Sequence, residues 1–378
     1  MRPVVKAGLF RVAAVVLALL LTFGLAEIAL RLTMAERLQR NNHHQIFTEF
    51  DPVLGWHKKA SFRGYHVTDE YSVMERMNAH GLRGHELPLA KPAGQRRVLL
   101  LGDSFVEGYA VDEEETVSEQ LERLLDVEGD WEAINAGTGG YSTDQELLYF
   151  EREGRRFSPD VTVLMFYEND IAPNARDYHA RYRFLIQKPL FAERDGQLQV
   201  VNLPLTVPPR RTSEDPLSTG FFDDYYVFRL AARWKAIEPL HDAAFHLGLI
   251  APEAYEEDRM HRDQGFDAWP ITAKLIERLA HATSEAHSRL LLFQVPTHAM
   301  DARDEEIERR LSALAGGQLR VPFVQTLARF RSETQRMNHE NGRTLYYPLD
   351  GHWNAAGHAF AAQLLREALA HEGLLRSP

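Results

Sequence analysis

Four short polar clusters carry side chains that could do chemistry together: Gly102-Asp103-Ser104, Gly137 through Tyr141, Glu168-Asn169-Asp170 and Asp350-Gly351-His352. Ser104 offers a hydroxyl, and His352 an imidazole able to take its proton. Asp350 offers a carboxylate that could hold the imidazole in one tautomer and stabilise the imidazolium. A glycine N–H and an asparagine amide are neutral donors suited to an oxyanion, and Gly140 permits close approach of backbone to ligand. Each cluster alone is weak. Gly, Asp, Asn and Ser all favour turns, and an Asp two residues from a His arises by chance in most chains of this length. Their order, and the elements that precede them, carry the information.

Three of the clusters follow candidate strands: the apolar runs Val98 to Leu101 and Val161 to Phe166, and the strand Trp131 to Ala136. Such runs suit strands buried on both faces. Thr116-Val117-Ser118-Glu119 and Ser142-Thr143-Asp144-Gln145 read as capping boxes, the second opening a helix to about Gly154. Three consecutive strand–turn–helix units predict right-handed crossovers and a parallel sheet. Further on, the sequence predicts a helix at 271–287, a strand from Leu290 to Val295, a helix over about 303–315 and a short strand at Val321 to Val324. A final amphipathic helix carries Phe360, Leu364, Leu365 and Leu369. Ligands of a parallel sheet bind at the carboxyl ends of its strands, which would gather the four clusters on one rim.

Residues 171–270 break the pattern with a proline-rich stretch, Pro204 to Pro216, and an aromatic cluster, Phe221 to Phe228. This reads as an insertion whose aromatics form a small core of its own, with a substrate platform as the alternative. The N-terminus, with Arg2, Lys6 and Arg11 before the uncharged run Val12 to Ala26, has the layout of a signal anchor or of a cleaved secretory signal. The run alone has 15 residues, and Leu9–Arg11 and Glu27–Leu30 lengthen it enough to span. Both readings export the remainder. The domain plan is therefore an anchor at 1–31, a polar stalk and preamble at 32–95, and a main domain at 96–378 with its insertion at 171–270. Residues 32–45 are expected to be a helical stalk, and 46–95 loops and short strands.

The chain of 378 residues has 43 basic and 54 acidic side chains, a formal charge of −11, which argues against nucleic acid as the main partner. It has no cysteine, so disulfides, iron–sulfur clusters and cysteine nucleophiles are excluded. The first strand turn lacks a Gly-x-Gly-x-x-Gly and a P-loop lysine. His43-His44 and His352/His358 have no ligand spacing that builds a metal site. No metal or cofactor is implied.

The sequence resembles the SGNH, or GDSL-type, hydrolases. Gly102-Asp103-Ser104-Phe105 matches the nucleophile block, and Asn135 through Gly140 is similar to the second block, whose last glycine donates to the oxyanion. Glu168-Asn169-Asp170 resembles the third block, with Asn169 as side-chain donor, and Asp350-Gly351-His352 the last, which supplies acid and base. The resemblance covers roughly residues 96–372 outside the insertion. It implies a three-layer α/β/α sandwich with about five parallel strands. It departs from the family twice. Tyr167 stands where the third block usually has glycine, and Asp350 and His352 are two apart rather than three. The shorter Asp-x-His followed by Trp-Asn is similar to SGNH-like proteins of alginate O-acetylation. It makes Asp350 a weaker assignment than His352. His358 is a rival base, read instead as a residue at the start of the final helix. Asp103 is expected to cap the turn that presents Ser104.

The function this implies is a serine esterase or acylhydrolase, with Ser104, His352 and Asp350 catalytic and Ser104, Gly140 and Asn169 forming the oxyanion hole. It would remove or transfer acyl groups on an extracytoplasmic glycan or other ester. The expected location is a single-pass bacterial inner-membrane protein with its catalytic domain on the periplasmic side. Envelope polysaccharide machinery is the implied partner. The alternative is a degenerate SGNH domain that binds glycan or scaffolds an envelope complex, motivated by the missing glycine and the long insertion.

Overall fold

The computed structural model describes residues 3–34, 46–68, 70–181, 184–206, 210–211, 225–227, 230 and 268–375. The runs Arg96–Leu101 (β1), Trp131–Asn135 (β2), Val161–Phe166 (β3), Arg289–Gln294 (β4) and Phe323–Val324 (β5) form one parallel sheet in the order β5-β4-β3-β1-β2. The expected three-layer α/β/α architecture is present. Side chains alternate between the sheet's faces. Val98 and Leu100 of β1 enter one core, and Leu99 and Leu101 the other.

The helices are α1 (Pro3–Thr33), α2 (Ser104–Glu107), α3 (Val117–Leu125), α4 (Thr143–Arg152), α5 (Trp269–Glu285), α6 (Ala302–Ala313), α7 (Leu327–Asn341) and α8 (Ala355–His371). α3 and α8 pack together on the Val98 face, and α4 and α5 on the Leu99 face. From β1 the chain moves outward to β2, then returns to the other side of β1 as β3. The topological switch point therefore lies between β1 and β3, the place where sheets of this order bind ligands. Ser104 follows β1 and Asn169 follows β3.

Two antiparallel hairpins precede the sheet, Thr48–Asp51 with Gly55–Lys58 and Arg63–Val67 with Ser72–Arg76. The described part of the insertion adds the antiparallel pairs Tyr178–Arg181 with Phe184–Gln187 and Phe191–Arg194 with Gln197–Val200. Most of the proline-rich stretch, Phe221 to Asp224, Phe228, most of the expected stalk, and His43-His44 lie outside the described residues. Tyr225 and Tyr226 are described, and both contact α1. The Phe23 and Tyr225 rings meet at 5.4 Å, and the Arg31 guanidinium lies 4.8 Å from the Tyr226 ring. Glu27 accepts the N–H groups of Tyr226 and Val227, each at 3.0 Å. Phe10–Thr33 is 24 residues with mean hydropathy 2.4, long and apolar enough to cross a membrane.

Candidate active site

Ser104 opens the one-turn helix α2 because Asp103 caps it. Asp103 Oδ1 accepts the Phe105 N–H at 3.0 Å, and Gly108, at φ 69°, closes the turn onto the Ser104 carbonyl. The expected capping role of Asp103 is what the structure has. The tight fit of this turn against the next strand end requires glycine. A Cβ at Gly137 would lie 2.2 Å from the Glu107 nitrogen.

The imidazole arrives on a separate turn. Tyr347 N–H donates to the His352 carbonyl and Gly351 N–H to the Tyr347 carbonyl, with Gly351 at φ 79°. Trp353 plugs the core at 0% exposure, and the Asn354 side chain caps α8 by accepting from Ala356 and Gly357. The Asp-Gly-His-Trp-Asn run thus acts as one unit: turn, base, core plug and helix cap. His352 Nε2 lies 2.8 Å from Ser104 Oγ, and His352 Nδ1 lies 2.5 Å from Asp350 Oδ1. With Nδ1–H donating to Asp350, Nε2 is left to accept the serine proton. The ring is wedged between Phe105, 4.6 Å between centroids, and Tyr109, 4.8 Å. Burial alone would raise the Asp350 carboxyl. The charge and hydrogen bond of His352, then the Tyr71 hydroxyl, outweigh it and hold the carboxyl well below the usual range.

The residues expected to form the oxyanion hole follow the neighbouring strands. Gly140 has φ 79°, a conformation open to glycine at no steric cost. Asn169 lies in the single turn Glu168–Asp170, and its Nδ2 donates to Asp103 Oδ2 at 3.0 Å. An amide nitrogen carries two hydrogens, so one remains for a ligand. Tyr167, in the place expected for glycine, lays its ring on Phe105 at 4.6 Å. The rival base His358 is buried at 1% exposure inside α8. Burial, with Arg83 and His352 nearby, pushes it down to about 3, so it stays neutral. The structure therefore brings Ser104, His352 and Asp350 together and sets His358 apart.

Sequence reasoning missed the side chains that hold this site. Lys58, from the first hairpin, is fully buried and donates to the Gly137 carbonyl. Trp56 Nε1 donates to the Gly139 carbonyl at 3.2 Å, and Tyr141 donates back to the Trp56 carbonyl at 2.7 Å. Lys188, from the insertion, is fully buried against Ser142 and Asp144. The 137–145 loop is thus gripped from outside the sheet. No local signal marks these lysines, since a lysine is by default read as a surface residue. Beneath the site, burial pushes the carboxyls of Glu146 and Asp170 well above the usual range, with neighbouring acids adding to it.

Residues 100–246 match the model of the GDSL-like lipase/acylhydrolase family, which bears out the resemblance for the blocks at 102–105, 135–140 and 168–170; the block at 350–352 lies outside the matched residues. No curated protein matches the chain. Solved structures similar to it include an acetyl xylan esterase, at 15% identity and a TM-score of 0.42, covering 72% of this chain and 99% of that one. The lipase/acylhydrolase from Enterococcus faecalis is 14% identical with a TM-score of 0.38, covering 73% and 96%. The psychrotrophic esterase EstA from Pseudoalteromonas sp. is 10% identical with a TM-score of 0.40, covering 74% and 99%.

Proposed function

We propose that this GDSL-type acylhydrolase hydrolyses acyl esters, acetyl esters of an envelope glycan foremost, from a position tethered to the outer face of the bacterial inner membrane. The observation that carries the reading is the relay Asp350–His352–Ser104, at 2.5 Å and 2.8 Å between successive groups. Ser104 Oγ attacks the ester carbonyl as His352 Nε2 takes its proton. Asp350 holds the ring and stabilises the imidazolium. The tetrahedral oxyanion is met by the N–H groups of Ser104 and Gly140 and by the Asn169 amide. Collapse of the intermediate expels the alcohol, which His352 protonates. Water, deprotonated by His352, then attacks the acyl-serine and releases the acid and the free hydroxyl of Ser104.

The glycan and the acetyl group rest on the Asp-x-His-Trp-Asn likeness to alginate O-acetylation proteins. The membrane assignment rests on the apolar helix at Phe10–Thr33. A fluorophosphonate probe tests the chemistry: the full chain in detergent should label and hydrolyse p-nitrophenyl acetate, and Ser104→Ala should do neither. Absence of both from the intact protein points to the binding module instead. Acyl transfer from p-nitrophenyl acetate to an added oligosaccharide would make the acceptor a sugar rather than water. Carbonate-resistant retention in the membrane pellet is expected. A secreted chain starting after Ala26 would sink the anchor.

A further inference from the structure

The Asp–His turn is held by a second hairpin that comes from the far side of the sequence. Thr68 Oγ1 accepts the N–H groups of Glu70 and Tyr71, at 3.2 and 3.3 Å, and so shapes the turn between Arg63–Val67 and Ser72–Arg76. From that turn the Tyr71 hydroxyl donates to Asp350 Oδ2 at 3.0 Å. The Glu70 carboxylate accepts the N–H of Leu349 at 3.1 Å and that of Asp350 at 2.5 Å. One side chain thus fixes the carboxylate of Asp350, and the other fixes the backbone that carries it. Tyr71 is itself held, at 5% exposure, against the rings of His66 (5.3 Å) and Tyr347 (5.2 Å).

We propose that Glu70 and Tyr71 are positioning residues for the acid–base pair, Tyr71 by charge-assisted hydrogen bonding to Asp350 and Glu70 by clamping the Leu349–Asp350 backbone. The inference rests on the esterase reading for its consequence in turnover. The clamp itself is independent of it.

The two residues have opposite electrostatic effects on His352. Tyr71 draws charge from the Asp350 carboxylate. Removing it leaves that carboxylate a stronger partner for the imidazolium, so the ring holds its proton to higher pH. Glu70 adds a negative charge beside Asp350. Neutralising it makes the imidazolium less favourable, so the ring loses its proton at lower pH. The other ionisable groups around the pair are His66 with Glu75 behind it (3.7 Å), Tyr109 over the imidazole (3.0 and 3.2 Å to its two nitrogens), Tyr347, and His358 with Arg83. His66 is the second imidazole packed against Tyr71, so the measurement is repeated in a His66→Gln background.

The experiment uses the full chain in detergent with 13Cε1-labelled histidine, and follows the His352 resonance, assigned by its loss in His352→Gln, through a pH titration. Tyr71→Phe should move its midpoint up by on the order of half a pH unit, and Glu70→Gln should move it down. The acidic limb of kcat/KM for p-nitrophenyl acetate should follow in the same directions, with kcat lowered about tenfold in Tyr71→Phe. Midpoints that stay at the wild-type value in both variants, or move together, overturn the proposal. Lost turnover at an unchanged midpoint would mean a merely structural hairpin and equally overturns it. If the wild-type chain is inert toward ester and probe, the esterase reading fails, while the titration still decides the clamp.

Discussion

Replacing Lys188 with methionine tests whether the insertion is tied to the start of α4 by a desolvated ion pair. Lys188 Nζ is fully buried and donates to Ser142 Oγ at 2.8 Å, to the Pro173 carbonyl at 3.0 Å and to the Asp144 carboxylate. Burial pulls its ammonium down and Asp144 pushes it back up. Methionine keeps the length and removes the charge, so Asp144, itself at 0% exposure, loses this counter-ion. Breaking a buried pair by removing one partner costs about 3–5 kcal/mol. The variant has one escape, proton uptake by the aspartate. For an ordinary aspartate that costs about 4 kcal/mol at pH 7, and about 1.4 kcal/mol less for each unit the pH is lowered. Protonation therefore sets the ceiling. The expected loss is about 3–4 kcal/mol at pH 7 and about 1.5 kcal/mol at pH 5. At roughly 2–4 °C per kcal/mol, Tm should fall by about 10 °C at pH 7 and by less than half of that at pH 5. Thermal scans of the full chain in detergent at the two pH values read this directly. Adding Asp144→Asn to Lys188→Met should recover most of the loss. A deficit that does not change with pH, or no deficit at all, refutes the reasoning that this is a desolvated ion pair.

Two further outcomes follow from the same buried ground. Glu146→Gln should leave Tm unchanged at pH 4 and raise it progressively above that, because both carboxylate oxygens are buried without a hydrogen-bond partner among the described residues and burial holds the folded acid neutral. The sign is fixed: the folded value lies above the unfolded one, so stability is intact below the unfolded value and is lost as pH rises. A melting difference that is flat between pH 4 and 8 would contradict it. Asn169→Ala should lower kcat for p-nitrophenyl acetate by about 10²–10³ with KM little changed, whereas a loss below threefold would remove Asn169 from the oxyanion hole.

The strands were legible because a strand covered on both faces needs an unbroken apolar run. Val98 to Leu101 has that form, and Val161 to Phe166 and Leu290 to Val295 depart from it by one polar residue each, Thr162 and Gln294. The helix Leu327–Asn341 gave no comparable signal. Its core contacts are few, Leu327 and Phe330 with Met337 partly buried, and Arg336 spans Glu333 and Glu340 along the exposed side. Ser104 was legible through its turn chemistry at a strand end, and His352 through the Asp-Gly-His-Trp-Asn run before the final helix. Tyr71 was not, since its contact with Asp350 crosses 279 positions and a tyrosine beside a turn has no distinguishing neighbourhood. The same holds for Lys58 and Lys188, whose burial is decided by loops that the sequence places far away.

Those distant contacts bear on where the catalytic unit begins. The pattern of apolar runs suggests a start near residue 96, yet Leu54, Trp56, Leu82 and Leu87 are buried in the Leu99-face core. Fully burying such side chains is worth about 1.5–3 kcal/mol each, so the four together contribute roughly 6–12 kcal/mol. That matches the whole net stability of an ordinary domain, about 5–15 kcal/mol. The same segment supplies Lys58 and Trp56 to the Gly137–Gly139 backbone, and Glu70 and Tyr71 to the Asp–His turn. A chain begun at residue 96 should therefore fail to give a cooperative melt or to label with a fluorophosphonate. One begun at residue 46 should do both if the anchor serves only as a tether. Cooperative melting and labelling by the shorter chain would show that the hairpins are ornament, and would return the boundary to the first strand.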